Sequence, residues 1–334
     1  MRATVILPLL IATAAGQAAA EEVNVYSHRQ PELVQPLFDA FTAETGIAVN
    51  VATIDKGMVE RLVAEGDRSP ADLVMTVDIA RLQQVVDAGV TQAVTSDVLN
   101  ANIPAEYRDP AGQWFGLTSR ARIVYASKDR VQDGEVTTYE DLADPKWKGR
   151  ICTRPGTHDY NLALMAAMIG HHDEAYAKEW AAAVRANLAH KPEGSDRDQV
   201  KSIWAGECDI SLGNTYYMGA MLADPEQTEW ANSVRIVYPT FEGGGTHVNV
   251  SGVAMTKAAP NKDAALKLME FLSSDEAQKI YAEINNEFPV KPGVEQSELV
   301  KSWGAFTPDS LNLSEIAKLR PTALKLMEEV GFDG

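Results

Sequence analysis

The sequence has little cysteine, no excess of basic residues and no apolar run long enough to cross a membrane. Only two of its 334 residues are cysteines, and neither a C-x-x-C pair nor a Cys/His cluster is present, which excludes a structural zinc site. Thirty Lys and Arg against 47 Asp and Glu give a net charge of −17. This charge argues against nucleic acid and anionic membranes as partners, whereas a cationic ligand is easier to accommodate.

The first 20 residues have the pattern of a secretory signal peptide. Arg2 gives a basic start, residues 4–15 form a short apolar run, and residues 17–20 (QAAA) offer a small-residue cleavage site. The run is shorter than the roughly 18 residues that a membrane span needs. We therefore expect an exported protein, periplasmic in a bacterium. There, Cys152 and Cys208 form either one disulfide or two free buried thiols, and their spacing does not decide which.

Strand and helix periodicities alternate along the chain. Residues 23–26, 47–51 and 72–77 are typical of strands and are separated by amphipathic helices, which predicts an α/β fold with mixed, mainly parallel sheets flanked by helices. Residues 161–190 are predicted to be one long helical stretch, with His171-His172 in an exposed turn. Glycine-flanked breaks near residues 117 and 243 predict two lobes. The first lobe comprises residues 21–118 plus 245–292, and the second comprises residues 119–244 plus 293–334.

Tyrosine is the residue type that indicates a site. Tyr216 and Tyr217 are adjacent at a strand-to-helix transition, and Tyr160 lies at a similar junction. One ring of such a pair commonly packs in the core; alternatively, the junctions face one cleft together with Arg29. A phenolate at neutral pH needs strong electrostatic help, which a trivalent ion supplies, and three phenolates balance a 3+ charge. Calcium and magnesium prefer carboxylate and carbonyl oxygens and soft metals prefer sulfur, so a converging set predicts iron(III).

Several short motifs occur together in a fixed order along the mature chain. They are residues 25–29 (VYSHR), 69–72 (SPAD), 75–78 (MTVD), 114–117 (WFGL), 120–122 (RAR), 147–152 (WKGRIC), 159–161 (DYN), 214–217 (NTYY), 245–252 (GTHVNVSG) and 285–290 (NNEFPV). In these motifs the chain resembles the ferric-ion-binding solute receptors of bacterial iron ABC importers. The resemblance implies a two-lobed periplasmic binding protein (type II) with its ligand cleft between the lobes. It also implies a monomeric receptor, not an enzyme, that delivers Fe(III) to an inner-membrane permease and its ATPase.

The same resemblance implies roles for individual residues. Tyr160, Tyr216 and Tyr217, all in the second lobe, match the family's phenolate ligands. A synergistic anion such as carbonate fills the remaining iron positions in some branches of the family, and here Arg29 matches the arginine that contacts it. Arg120 is the next candidate for the anion and Arg122 the third, with an ion pair as the alternative role for either.

The first lobe departs from the family pattern. Gln30-Pro31 stand where many relatives have His or His-Tyr, and Val77 stands where one branch has a glutamate ligand. The resemblance therefore gives no matched protein ligand from this lobe. His28 lies two residues before the usual position and is kept as an additional candidate.

Two other functions compete with iron capture. A binding protein for an organic cation, such as a polyamine or thiamine, needs aromatic rings and carboxylates around its ligand, and Trp114, Trp204 and Asp78 are the candidates. A secreted hydrolase or lyase is conceivable with the adjacent pair His158-Asp159. However, no nucleophile motif such as G-x-S-x-G is present, and adjacent residues rarely orient each other.

Overall fold

The computed structural model describes residues 21–29, 31–54 and 56–334. The predicted signal peptide over residues 1–20 lies outside the described residues. So does Gln30, one of the residues that differ from the family pattern. In the described ranges no helix combines the length and apolar character that crossing a membrane requires.

Strands and helices alternate through the described part of the chain. The strands are β1 Glu22–Ser27, β2 Ala48–Thr53, β3 Leu73–Thr76, β4 Phe115–Ser127, β5 Ile151–Cys152, β6 Ile210–Asn214, β7 Val234–Val237, β8 Val248–Met255 and β9 Phe288–Pro289. The helices are α1 Pro31–Thr45, α2 Met58–Glu65, α3 Ile79–Asp87, α4 Asp97–Asn102, α5 Asp159–His171, α6 Glu174–Ala186, α7 Asp196–Ala205, α8 Tyr216–Ala223, α9 Thr228–Ser233, α10 Lys262–Leu272, α11 Asp275–Asn285, α12 Glu298–Lys301 and α13 Leu313–Glu329.

The long strand β4 joins two groups of strands. The first group has the order β2-β1-β3-β8-β4 and the second the order β4-β6-β5, with β9 and β7 also paired to β4. The changeover lies between Ala121, which faces Val248 on β8, and Arg122, which faces Asn214 on β6. The α/β class with mixed sheets is confirmed.

The expectation of mainly parallel pairing needs correction. Among the described strands, three pairs are parallel and five are antiparallel. The reason is the position of β4, which runs antiparallel to all four of its partners, β6, β7, β8 and β9. The chain enters the second group along β4 itself, so only β1-β2, β1-β3 and β5-β6 keep the crossover connections that make strands parallel.

The first strand group begins as its periodicity predicts. Val23 and Val25 of β1 are fully buried, as are Leu37 and Phe41 on the inner face of α1. Burial of each such side chain contributes roughly 1.5–3 kcal/mol. Gly46 follows α1 with φ of 73°, a left-handed conformation that glycine adopts without steric strain and that ends the helix.

The predicted helical stretch over residues 161–190 is two helices rather than one. Asp173 caps α6 by accepting a hydrogen bond from a backbone N–H, and this competes with continuation of α5. The histidines before it are half-buried and contact carboxylates, so they are not an exposed turn. The Nε2 of His171 lies 2.8 Å from Asp309 Oδ2, and that of His172 lies 2.8 Å from Glu140 Oε1.

The two cysteines form a disulfide, with Cys152 at the end of β5 and Cys208 just before β6. The parallel pairing of β5 with β6 places Ile151 opposite Ile210, which brings the two thiols within bonding reach. The bond ties together the two strands whose following segments carry the candidate tyrosines.

Candidate metal centre

A cavity of about 610 Å³ opens where several strands end and helices begin. Its walls come from the segments after β1 and β3, from the starts of α5 and α8, and from the end of α11. It collects the predicted site residues His28, Arg29, Arg120, Tyr160, Tyr216 and Tyr217. Val77 also lines it, with an apolar side chain where one branch of the family has a carboxylate.

The phenols meet at one side of this cavity. Tyr216 donates a hydrogen bond to Tyr160 Oη at 3.1 Å and accepts one from Asn214 Nδ2 at 3.3 Å. The rings of Tyr216 and Tyr217 lie 4.4 Å apart, centroid to centroid. All three tyrosines are half-buried, so the rings are not core residues. In the described residues, no group of three His, Cys, Asp or Glu side chains is placed to hold a metal ion.

The surroundings keep the phenols of Tyr216 and Tyr217 protonated in the absence of a cation. Burial and the neighbouring phenols of Tyr160 and Tyr217 raise the pKa of Tyr216 well above its ordinary value. Burial and Tyr160 raise the pKa of Tyr217 to about 12. A trivalent ion bound to the oxygens reverses this balance, because it stabilises the phenolate form directly.

A buried network of ion pairs lies next to the ring of Tyr160. Arg122 donates to Asp196 Oδ2 at 2.7 Å and to Asn161 Oδ1 at 2.7 Å, and Arg154 reaches Asp196 Oδ1 at 3.3 Å. The guanidinium carbons of Arg122 and Arg154 lie 5.8 and 4.9 Å from the centre of the Tyr160 ring. Arg122, the third anion candidate, therefore has the alternative role of an ion-pair partner, and Asp196 is a supporting residue that the sequence analysis did not identify.

Arg29 is fixed in position by residues of its own strand group. It is buried, and its Nη2 donates to Glu287 Oε2 at 2.6 Å and to Ser251 Oγ. Glu287 also accepts a hydrogen bond from Thr118 at 2.7 Å. These partners hold the guanidinium rigidly at the cavity wall, where its charge faces the tyrosines.

Arg120 is held in a similar way on β4. Its Nη2 donates to the carbonyl oxygen of Val77 and lies 3.6 Å from Asp78 Oδ2, while its Nη1 donates to Ser251 at 3.3 Å. Its Nε has no hydrogen-bond partner among the described residues. The Arg120 guanidinium thus lines the cavity with one buried donor that no described residue uses.

Four further polar residues line the cavity, and the sequence pattern predicted no role for any of them. Arg197, Asn285, Asn286 and Glu287 line the same space. The last three lie within the motif 285–290, which contributed to the resemblance without suggesting a role. Arg197 follows Asp196 at the start of α7. It reaches the cavity because of how α7 packs in the fold, which the local sequence does not predict.

The residues of the two competing functions do not come together. Trp114 is fully buried, Trp204 is exposed, and Asp78 caps α3 and accepts a hydrogen bond from Asn249 at 2.8 Å; none of the three lines the cavity. His158 caps α5 through Nδ1, and Asp159 pairs with Arg320 at 2.6 Å. The arrangement supplies neither an aromatic cage nor a catalytic base.

The fold and this cavity are those of a protein that binds a small solute. Residues 68–304 match the family described as bacterial extracellular solute-binding protein, and the chain belongs to that family. It is 42% identical to iron uptake protein A1 of Synechocystis over 93% of this chain and 88% of that protein. It is 27% identical to the major ferric iron-binding protein of Neisseria meningitidis over 97% of each chain.

Solved structures agree with this assignment. Ferric iron-binding protein A of Mannheimia haemolytica, in an open conformation, superposes with a TM-score of 0.91 at 51% identity, covering 94% of this chain and all of that one. A Trichodesmium protein in complex with iron and citrate gives 0.90 at 44%, covering 93% and 99%. The predicted two-lobed architecture is confirmed, and the protein is a solute-binding protein, not an enzyme.

Proposed function

We propose that the protein captures Fe(III) between its two lobes through the phenolates of Tyr160, Tyr216 and Tyr217. The observation that carries the proposal is the 3.1 Å contact between the oxygens of Tyr216 and Tyr160, with Tyr217 in the same cavity. Three phenolates and a 3+ ion form a neutral core, which is far less costly to bury than an isolated charge. The iron-binding names of the relatives support the same cargo.

A synergistic oxyanion completes the site in this proposal. Arg29 and Arg120 line the cavity, and the Nε of Arg120 has no hydrogen-bond partner in the described part of the chain. Guanidinium groups suit the bidentate geometry of carbonate or a carboxylate. The citrate held with iron by the Trichodesmium relative supports an oxygen-rich second ligand. His28 lines the same cavity and stays an additional candidate for contact with the metal.

The cycle that we propose is that of an import receptor. The lobes, residues 21–118 plus 245–292 and residues 119–244 plus 293–334, close over the ion by a hinge motion about the strands that connect them. The monomeric protein works in the periplasm after its signal peptide is removed. It then delivers iron to an inner-membrane permease and its ATPase.

The decisive experiment is an absorption spectrum of the purified protein. Chelated ferric iron is added with and without bicarbonate, and a visible phenolate-to-iron charge-transfer band is the expected result. A protein that stays colourless with excess ferric citrate contradicts the proposal.

A further inference from the structure

Asn285, the last residue of α11, has a side chain that the rest of the fold does not explain. It is 8% exposed, yet neither its Nδ2 nor its Oδ1 has a hydrogen-bond partner among the described residues. A buried amide without partners is destabilising, so such groups are uncommon unless something else uses them. Both atoms belong to a residue that lines the cavity containing the three tyrosines.

The backbone around Asn285 is held firmly in place. Asn286 has φ of 53° and is the one non-glycine residue in the described ranges with positive φ. Glu287, the next residue, is anchored by Arg29 at 2.6 Å and by Thr118 at 2.7 Å. The backbone that follows Asn285 is therefore tied to the first strand group.

This segment also touches the helix that carries two of the tyrosines. Asn286 packs so closely on Gly219 of α8 that a Cβ at Gly219 would lie 2.5 Å from Asn286 Nδ2. The contact bridges the two strand groups, because α11 packs on α1 and β9 whereas α8 packs on α7 and α9. Asn285 and the helix that carries Tyr216 and Tyr217 therefore line the cavity from adjacent sides of this contact.

We propose that the carboxamide of Asn285 is a cargo-contacting group that hydrogen-bonds the non-protein oxygen carried by the bound ferric ion. This inference rests on the proposed function. A neutral carboxamide fits the role because it offers a donor and an acceptor without disturbing the balance between three phenolates and a 3+ ion. The oxygen belongs to water, to carbonate or to a carboxylate, and these sources share the chemistry that Asn285 recognises.

The test is Asn285→Leu, with Asn50→Leu at an exposed position of β2 as the matched control. Iron affinity is measured by competition with a strong chelator in three arms: bicarbonate-free buffer, bicarbonate, and citrate. We expect the charge-transfer band to persist, since the tyrosines remain, and the affinity to fall about tenfold to a hundredfold in the arm whose oxygen Asn285 holds. The arm that shows the loss identifies the source of the oxygen.

Thermal unfolding without iron separates this role from a structural one. Leucine removes an unpartnered polar group, so the unfolding temperature of iron-free Asn285→Leu should equal or exceed that of the parent protein. Asn285→Ala supplies the same test if leucine proves too large for the site.

Two results overturn the inference while leaving the proposed function intact: unchanged affinity in all three arms, or an affinity loss accompanied by a lower iron-free unfolding temperature in both variants. A parent protein that forms no coloured complex overturns the proposed function instead, and the inference falls with it.

Discussion

Tyr216 donates a hydrogen bond to Tyr160 at 3.1 Å although 56 residues separate them in the sequence. The two oxygens come from different helix starts, α8 and α5. Burial and the neighbouring phenols raise the pKa of Tyr216, and a cation bound to its oxygen would remove that penalty. The same geometry thus disfavours the phenolate of Tyr216 in the empty site and would favour it beside the ferric ion that we propose.

Tyr216→Phe should abolish or strongly weaken the iron complex. Loss of groups that merely support metal ligands typically lowers affinity 10–100-fold, so removal of a ligand should lower it by at least about a hundredfold. The measurement is chelator competition together with the visible spectrum. Tyr176→Phe, at an exposed position outside the cavity, is the control and should bind iron like the parent protein. Equal affinity and colour in the two variants would contradict tyrosine ligation.

Iron loading should release protons, and acid should weaken binding. The pKa values of Tyr216 and Tyr217 are raised in the empty site, so both phenols hold their protons at neutral pH and lose them on binding. Each released proton makes the affinity fall up to about tenfold per unit decrease in pH. Proton release is measured with an indicator dye in weak buffer. Tyr216→Phe should release one proton fewer per iron bound, and an identical count in both proteins would refute the assignment.

Asp196→Asn should destabilise the fold and disturb Tyr160. Asp196 is fully buried and is the carboxylate shared by Arg122 and Arg154, so its neutralisation leaves buried positive charge without compensation. We expect a loss of about 3–5 kcal/mol in the free energy of unfolding, measured in urea. The control is Asp209→Asn, whose carboxylate pairs with Arg130 and Arg150, both partly exposed, and should therefore matter less. Comparable losses in the two variants would count against the network.

Stability should decline as the pH falls from about 6.5 toward 4. Burial lowers the pKa of His247 to about 3 and that of His158 to about 4, so the unfolded chain binds protons that the folded chain does not. The free energy of unfolding therefore has its full value at a pH above the pKa of histidine in the unfolded chain. It falls on acidification, by up to about 1.4 kcal/mol per pH unit for each histidine. Urea unfolding across this range is the measurement. His247→Gln should flatten the slope, and a slope unchanged by the substitution would exclude His247 as the cause.

Loss of the disulfide should destabilise the protein without changing its ligands. Replacing Cys152 and Cys208 by serine frees a loop closed across 56 positions. We expect a loss of about 2–5 kcal/mol in the free energy of unfolding. The charge-transfer band should keep its position, and a shifted band would show that the disulfide shapes the site itself.

Local patterns predicted the elements that their own residues stabilise. The apolar face of α1 and the stop at Gly46 are visible in the sequence, because they depend on neighbours within a few positions. The break between α5 and α6 was not predicted, because the Ala- and Met-rich composition of residues 161–190 favours one continuous helix. The cap at Asp173 is a weaker local pattern within that stretch. The direction of pairing was missed for a different reason: β4 pairs with strands from distant parts of the chain, and periodicity carries no information on direction.

By itself the sequence determined the class of fold, the charge that favours a cationic cargo and the tyrosine-bearing junctions, since composition and short-range periodicity encode these properties. Only the tertiary structure decided that the phenols meet, that Cys152 bonds Cys208 and that Asp196 supports Tyr160. It alone placed Asn285, whose buried amide has no hydrogen-bond partner among the described residues, at the wall of the same cavity. Each of these depends on groups dozens or hundreds of residues apart, and their distances are set by how the helices pack on the sheet.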